Sequence, residues 1–227
     1  MIVKTKRTDL LLRCGIFSSL FYVAMNVIVP LQWPGYDPAA QVVSELSAIG
    51  APTRPLWVAL GMVWSVLIGA FGIGVWRRAE HERSLRVASA ALMISSMIGL
   101  YWPPMHMRGA SPTLTDTLHL VWAAATLLLM LVTITFGAAA FGRRFRQFSL
   151  GIVVTFVVFG ILTFRDAPGM VANLPTPWIG VWERINIGAY MLWLIVFALA
   201  LLRPHPYAMH RESSADPQGF FMKIRAT

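Results

Sequence analysis

Six long apolar stretches, separated by short polar ones, follow one another between residues 10 and 203. A helix needs roughly 18 or more nearly uncharged residues to cross the ~30 Å hydrocarbon layer of a membrane. The pattern therefore predicts an all-α fold, a bundle of six transmembrane helices. The charged pair Arg165 and Asp166 is expected to end the fifth span. The predicted spans cover residues 10–30, 56–76, 85–102, 117–141, 148–164 and 179–202.

The segment between the first two predicted spans carries the signals of a short helix. Asp37 can cap its start, Pro38 suits its first position, and Gly50 followed by Pro52 can stop it. Its apolar residues share one face, so the helix would lie on the membrane surface or fold back over the mouth of the bundle. We expect a short surface helix in this first outer loop.

Composition and charge add an orientation. The chain is 57% hydrophobic and 13% charged, whereas a soluble domain carries about 25% charged residues. Of its 19 Lys and Arg residues, fifteen fall on the side that holds both termini and four on the other. This bias predicts cytoplasmic termini and a multi-pass protein of the inner cell membrane. The expected divisions are a cytoplasmic start (1–9), a six-span membrane domain (10–203) and a flexible cytoplasmic tail (204–227).

The net charge of +9 could also indicate binding to a nucleic acid. Because the basic residues flank apolar stretches on alternate sides, we predict membrane lipid as the partner and no nucleic acid. The second span also carries a stripe of small residues, Gly61, Ser65 and Gly69, which lets another helix approach closely. A helix of a partner chain could supply that contact.

Ionisable residues on the predicted outer side are the candidates for a site, because a charge in or beside a span is costly and needs a partner. Glu183 and Arg184 open the sixth span and point about 100° apart, so they require different partners. Arg184 is expected to pair with an acid or with an anionic headgroup. The candidate ligand-binding residues are Glu45, Arg54, His106, Arg108, Asp116, His119, Glu183 and Arg184.

Three of these residues suggest a metal or a catalytic base. Asp116 and His119 are three residues apart on one helix face, and His106 precedes them by ten residues. Together they could hold zinc with an open position for water, or form a base oriented by a carboxylate. Alternatively, Asp116 caps the fourth span and His119 hydrogen-bonds within the bundle. No cofactor is predicted, with zinc as the alternative; Glu45 joins Asp116 and His119 as a candidate catalytic residue.

Several short motifs resemble those of a known family. Tyr36-Asp37-Pro38 with Ser44-Glu45, then His106-Met-Arg108-Gly109, Asp116-Thr-Leu-His119 and Trp182-Glu183-Arg184-Ile185 occur in order. They resemble the bacterial and archaeal membrane family labelled domain of unknown function 998, over roughly residues 10–203. The resemblance implies a multi-span membrane protein and no particular activity.

Three functions fit these features. The preferred one is a bundle that binds or senses a lipid headgroup or small amphiphile at an extracytoplasmic polar pocket, where Arg54, Arg108 and Arg184 would meet an anion. The second is a metal-dependent, membrane-embedded hydrolase. The third is a ligand-free scaffold or assembly partner that uses the small-residue stripe.

Overall fold

The computed structural model describes residues 2–203, with side chains from residue 6 onward. The predicted tail at 204–227 lies outside the described residues. No strand occurs in residues 2–203, and the chain there forms six α-helices, as the all-α prediction requires. Their bounds are α1 Ile2–Ile28, α2 Arg54–Ala79, α3 Arg83–Gly99, α4 Leu114–Ala139, α5 Arg143–Val171 and α6 Ile179–Leu202.

The helices form a ring in chain order. Each helix packs on the next, and α1 closes the ring by packing on α6. Aromatic side chains fill much of the core: Trp193 stacks on Phe197 with ring centroids 4.7 Å apart, and Phe71 meets Phe197 edge-on at 5.8 Å. By contrast, α4 and α5 meet over only a short stretch.

The long connections all lie at one end of the ring, which we call the loop end. They are the first connection (residues 29–53), the second (100–113) and the third (172–178). The opposite end, the turn end, has only the short links at 80–82 and 140–142. Any site built by the connections is therefore confined to one end of the bundle.

The small-residue stripe packs within the chain itself. Gly61 of α2 faces Trp102, and the Ser96 hydroxyl of α3 donates to the carbonyl oxygen of Ser65 at 2.8 Å. A Cβ at Gly69 would lie 2.6 Å from the Ser96 hydroxyl. The prediction of a close helix contact is confirmed, and the helix that fills it is α3.

Five helices are long and apolar enough to span a membrane: α1, α2, α4, α5 and α6, each with at least 24 residues. Helix α3 has 17 residues, or about 26 Å at 1.5 Å per residue. Large apolar side chains are exposed on the outside of the ring, including Leu120 (67%) and Phe164 (81%). This surface suits lipid chains better than water.

Helix α5 is longer than its apolar stretch. It continues through Arg165 and Asp166, which pair with each other at 3.2 Å, and through Pro168 to Val171. Charged residues end an apolar stretch but do not break a helix. Pro168 is also tolerated near the helix end, where its carbonyl still accepts a 3.0 Å hydrogen bond from Ala172.

The first connection differs from the predicted surface helix. It contains a short 3₁₀ helix, Val43–Ser47, that folds back over the loop end. Asp37 caps a turn instead of a helix, accepting a 2.8 Å hydrogen bond from the backbone N–H of Ala39. Glu45 and Leu46 are fully buried, because this segment packs between α2 and α6 instead of lying on a surface.

Candidate functional site

A buried ion pair holds the first connection to the second. The Arg108 guanidinium donates from Nη2 to Glu45 Oε1 at 2.7 Å and from Nε to Glu45 Oε2 at 3.0 Å. This two-pronged geometry matches the planar guanidinium to the carboxylate. Gln41 adds a 2.9 Å hydrogen bond to Oε2 of Glu45. The bond to Glu45 raises the pKa of Arg108, so the guanidinium stays charged.

The same guanidinium reaches the third connection. Arg108 Nη1 donates to the Thr176 hydroxyl at 3.3 Å, and Nη2 donates to the Ala40 carbonyl at 2.9 Å. Thr176 in turn donates to the Ala40 carbonyl at 3.0 Å. Because one arginine joins all three long connections, it fastens the loop end into a single cap.

Arg184 attaches the cap to α6. Its Nη1 donates to the carbonyl oxygens of Pro38 (2.6 Å) and Gln41 (2.9 Å), and its Nη2 to the Tyr36 hydroxyl (2.7 Å). The Tyr36 hydroxyl donates onward to the Val42 carbonyl at 2.9 Å. Burial raises the pKa of Tyr36 to about 12, against the opposing effect of Arg184. The partners of Arg184 are therefore a phenol and backbone carbonyls, where the sequence suggested an acid or a headgroup.

Glu183, beside Arg184, points in another direction. One of its oxygens, Oε2, accepts a hydrogen bond from the backbone N–H of Val43. Glu183 also lines a cavity of about 100 Å³ inside the ring. The two neighbours thus have different partners, as their helical spacing predicted.

The cavity is mostly apolar, with a few polar groups. Trp64 Nε1 is buried and has no hydrogen-bond partner among residues 2–203. Asn186, in the orientation that pairs both ends of its amide, donates to the Thr155 carbonyl (3.2 Å) and accepts from the Gly160 N–H (3.1 Å). The lining residues are Tyr22, Trp64, Leu127, Met130, Phe156, Glu183, Asn186, Ile187 and Met191.

His106 and Asp116 form a separate pair at the start of α4. Asp116 Oδ2 lies 2.9 Å from His106 Nδ1, which must carry the proton because a carboxylate only accepts. Asp116 also accepts from the backbone N–H of Thr113 at 2.8 Å and of His106 at 2.7 Å. Asp116 therefore caps α4, as one of the two interpretations of the sequence predicted. It also orients the His106 ring.

His119 does not join that pair. Its Nδ1 donates to the Pro103 carbonyl at 2.7 Å, and its ring lies against Trp122 with centroids 5.8 Å apart. The interpretation of His119 as a buried hydrogen-bonding residue holds, although its partner lies in the second connection and not on another helix. Within residues 2–203 no three His, Cys, Asp or Glu side chains group as metal ligands. The zinc alternative built on His106, Asp116 and His119 thus has no ligand set there.

The remaining candidate, Arg54, stabilises the first connection. Its Nη1 donates to the Ser47 carbonyl oxygen at 2.5 Å. The eight candidate residues all lie at or near the loop end but divide into separate groups. Two salt bridges join candidates to each other: His106 with Asp116, ten residues apart, and Glu45 with Arg108, 63 residues apart. The cavity residues Tyr22, Trp64 and Asn186 were not among the candidates. The sequence signal that could have indicated the cavity is the pair Glu183 and Asn186, two polar residues three positions apart in an apolar span.

Five helices of spanning length around an apolar ring, with charged groups gathered towards its two ends, define a multi-pass integral membrane protein. The chain belongs to the family described as protein of unknown function (DUF998), which matches residues 16–200. This match confirms the resemblance in the sequence motifs. No curated protein and no solved structure matched the chain.

Proposed function

We propose that the protein binds the headgroup of a small amphiphile in the cavity beneath the cap. The observation that carries the proposal is that Trp64, whose indole N–H has no partner among residues 2–203, and the acid Glu183 both line one apolar cavity. Concave, mostly apolar sites with a few convergent polar groups are typical of small-molecule binding. At about 100 Å³, the cavity suits a headgroup and not a whole lipid.

The charges around the cavity favour a cationic or neutral headgroup over an anion. Arg54, Arg108 and Arg184 donate to protein oxygens in the cap, and none of them lines the cavity. Glu183 is the one carboxylic acid in its lining. An ammonium or hydroxyl group would bond Glu183, and a hydroxyl oxygen could also accept from Trp64.

We propose that the ligand enters the cavity through the side of the ring. Leu127 and Met130 of α4 and Phe156 of α5 form one wall of the cavity, and these two helices meet over only a short stretch. An alkyl chain could remain between α4 and α5 in the lipid while its headgroup enters the cavity. This arrangement explains why an amphiphile is a better ligand here than a water-soluble molecule.

The test compares three probes with the same chain: octylamine, octanol and octanoate. A ligand that binds the folded state raises the melting temperature, and the rise increases with its affinity and with the logarithm of its concentration. We expect stabilisation in the order octylamine, octanol, octanoate. Glu183→Gln should remove the advantage of octylamine over octanol, whereas Asp166→Asn, at an acid outside the cavity, should preserve it.

Filling the cavity provides the second arm. Met130→Trp should abolish stabilisation by all three probes, whereas Met62→Trp, at a position 42% exposed on α2, should not. If Met130→Trp does not fold, Trp64→Phe should instead weaken octanol selectively, because it removes the indole donor. Equal responses in the wild type, Glu183→Gln and Trp64→Phe would refute the proposal.

We also propose six spans with both termini in the cytoplasm of an inner-membrane protein. Helix α3 supports this topology because it runs antiparallel beside α2 at the same depth. Its Ser96 bonds the Ser65 carbonyl at 2.8 Å and its Ser89 bonds the Gly72 carbonyl at 2.7 Å. A helix paired in this way along a spanning helix occupies the same layer. The positive-inside bias then assigns the turn end to the cytoplasm.

A second candidate function is hydrolysis at the loop end. It rests on the His106 imidazole, which is oriented by Asp116 at 2.9 Å and is 30% exposed at its side chain, as a general base requires. Glu45 is unsuited as the base because it is fully buried against Arg108. Purified protein would be assayed on p-nitrophenyl butyrate in micelles. Activity that is lost in His106→Gln and kept in His119→Gln would support hydrolysis. If the wild type is no more active than His106→Gln, hydrolysis at this site is excluded.

A further inference from the structure

The turn end carries a second concave surface, unrelated to the cap. A groove of about 410 Å³ runs between the C-terminal half of α4 and the N-terminal half of α5. This volume falls within the range of about 300–1,000 Å³ that is typical of ligand sites. The groove is lined by Ile134, Thr135, Ala138, Ala139, Arg146, Ser149, Leu150 and Val153.

Positive charge is concentrated at one end of this groove. Arg146 lines it, and Arg143 and Arg144 begin the same helix. Among residues 2–203 none of the three forms an ion pair. Only Nε of Arg146 has a partner there, the Phe141 carbonyl at 2.9 Å, so both its terminal nitrogens are available to an anion.

The backbone adds to this charge. Helix α5 begins after Gly142 with no side-chain cap and no acidic residue in its first turn. The N-terminus of a helix is its positive end, where arginines are unfavourable and anions are favoured. A Cβ at Gly142 would meet no atom within 4 Å, so this helix end is open to a ligand.

We propose that the groove binds one anionic phospholipid, with its phosphate at Arg146 and the start of α5 and an acyl chain between Ala139, Leu150 and Val153. The occupant follows from charge complementarity at one end, apolar walls along the rest, and a position on the lipid-facing side of two spanning helices. A guanidinium with free nitrogens is suited to phosphate. The site lies at the opposite end from the cavity and does not depend on its proposed ligand.

Native mass spectrometry of the full chain, released from nanodiscs of phosphatidylglycerol and phosphatidylcholine, would count the retained lipids. We expect one phosphatidylglycerol to persist when phosphatidylcholine is stripped. Arg146→Gln should weaken its retention about tenfold, equivalent to about 1.4 kcal/mol. Arg77→Gln should change it less than about twofold, because Arg77 is an exposed arginine at the same end that does not line the groove.

The apolar part is tested by Ala139→Phe, an exposed position that lines the groove. The added ring should displace the acyl chain and reduce retention of the lipid without unfolding the protein. Equal loss in Arg77→Gln and Arg146→Gln would mean diffuse attraction and refute the site. So would displacement by inorganic phosphate alone, equal retention of phosphatidylcholine, or a dimer that carries no lipid.

Discussion

At the scale of single residues, a buried carboxylate must be paired, and Glu45 meets this requirement through Arg108. The Glu45 side chain has no exposed surface, and that of Arg108 is 19% exposed. Removing one partner from such a pair is more costly than the pair is favourable, because the other charge stays buried without compensation. The loop-end arginines Arg54, Arg108 and Arg184 therefore primarily stabilise the cap.

Arg108→Ala should lower the free energy of unfolding by about 3–5 kcal/mol, the cost of a broken buried pair. Arg165→Ala should change it by about 0.5 kcal/mol or less, since exposed pairs contribute little and the Arg165 side chain is 69% exposed. Reversible unfolding in mixed SDS micelles would measure both. Similar losses in the two variants would contradict the role of the Glu45–Arg108 pair.

Tyr36 gives a prediction for alkaline pH. Because burial raises its pKa from 10.0 to about 12, the folded state keeps the hydroxyl protonated longer than the unfolded state does. The stability that this provides is fully present below pH 10 and is lost as the pH rises from about 10 towards 12. Between pH 9 and pH 11, the melting temperature of the wild type should fall more than that of Tyr36→Phe. Equal falls in the two proteins would contradict the raised pKa of Tyr36.

At the scale of elements, the first connection and the start of α6 fit closely. The Gly180 N–H donates to the Ala39 carbonyl at 2.9 Å. A Cβ at Gly180 would collide with the carbonyl oxygens of Pro38 and Gln41. The connection therefore reaches α6 only because this position has no side chain, and Arg184, one turn later, bonds the same two carbonyls.

Gly180→Ala should destabilise the protein by more than about 1 kcal/mol and loosen the cap, because backbone atoms cannot move aside as a flexible side chain can. Gly188→Ala is the matched control on the same helix, where a Cβ meets nothing within 4 Å. It should be neutral or stabilising by up to about 1 kcal/mol, the helix propensity difference. Thermal unfolding and proteolysis of the first connection would test both, and equal melting temperatures would be the contrary result.

At the scale of the whole molecule, the ring places α3 beside α2 and α4, so the number of crossings depends on a helix of 17 residues. If α3 crosses, the two short links lie on one side of the membrane and the second connection on the other. If it does not, the first short link and the second connection share a side. The orientation of the cap and of the phospholipid groove follows from this choice.

Single cysteines introduced in a Cys14→Ser background would show whether α3 crosses the membrane. We expect a membrane-impermeant maleimide, applied to intact cells, to label Ser111→Cys and to leave His81→Cys and Gly142→Cys unlabelled until the membrane is opened. The three positions are exposed, so accessibility depends on the side of the membrane. Labelling of His81→Cys together with Ser111→Cys would exclude a crossing α3.

The class of protein and its helices were predictable from the sequence alone, because an apolar stretch of spanning length has few alternatives to a helix in lipid. The sequence also placed the Asp116 cap of α4 and the small-residue stripe on α2, since these depend on residues within a few positions of one another. It misjudged the first connection, whose signals at Asp37 and Pro38 favoured a helix. Contacts with Glu183 and Arg184, about 140 residues away, fixed that segment instead.

How the polar candidates combine depends on the packing of the helices and connections. Nothing local in the sequence pairs Glu45 with Arg108, or directs Arg184 to backbone carbonyls, because carbonyl partners carry no sequence signal. The same holds for the cavity. Its lining residues lie on five helices, α1, α2, α4, α5 and α6, and they come together only once the ring has closed. Local spacing determines which groups each helix presents, and packing determines which of them meet.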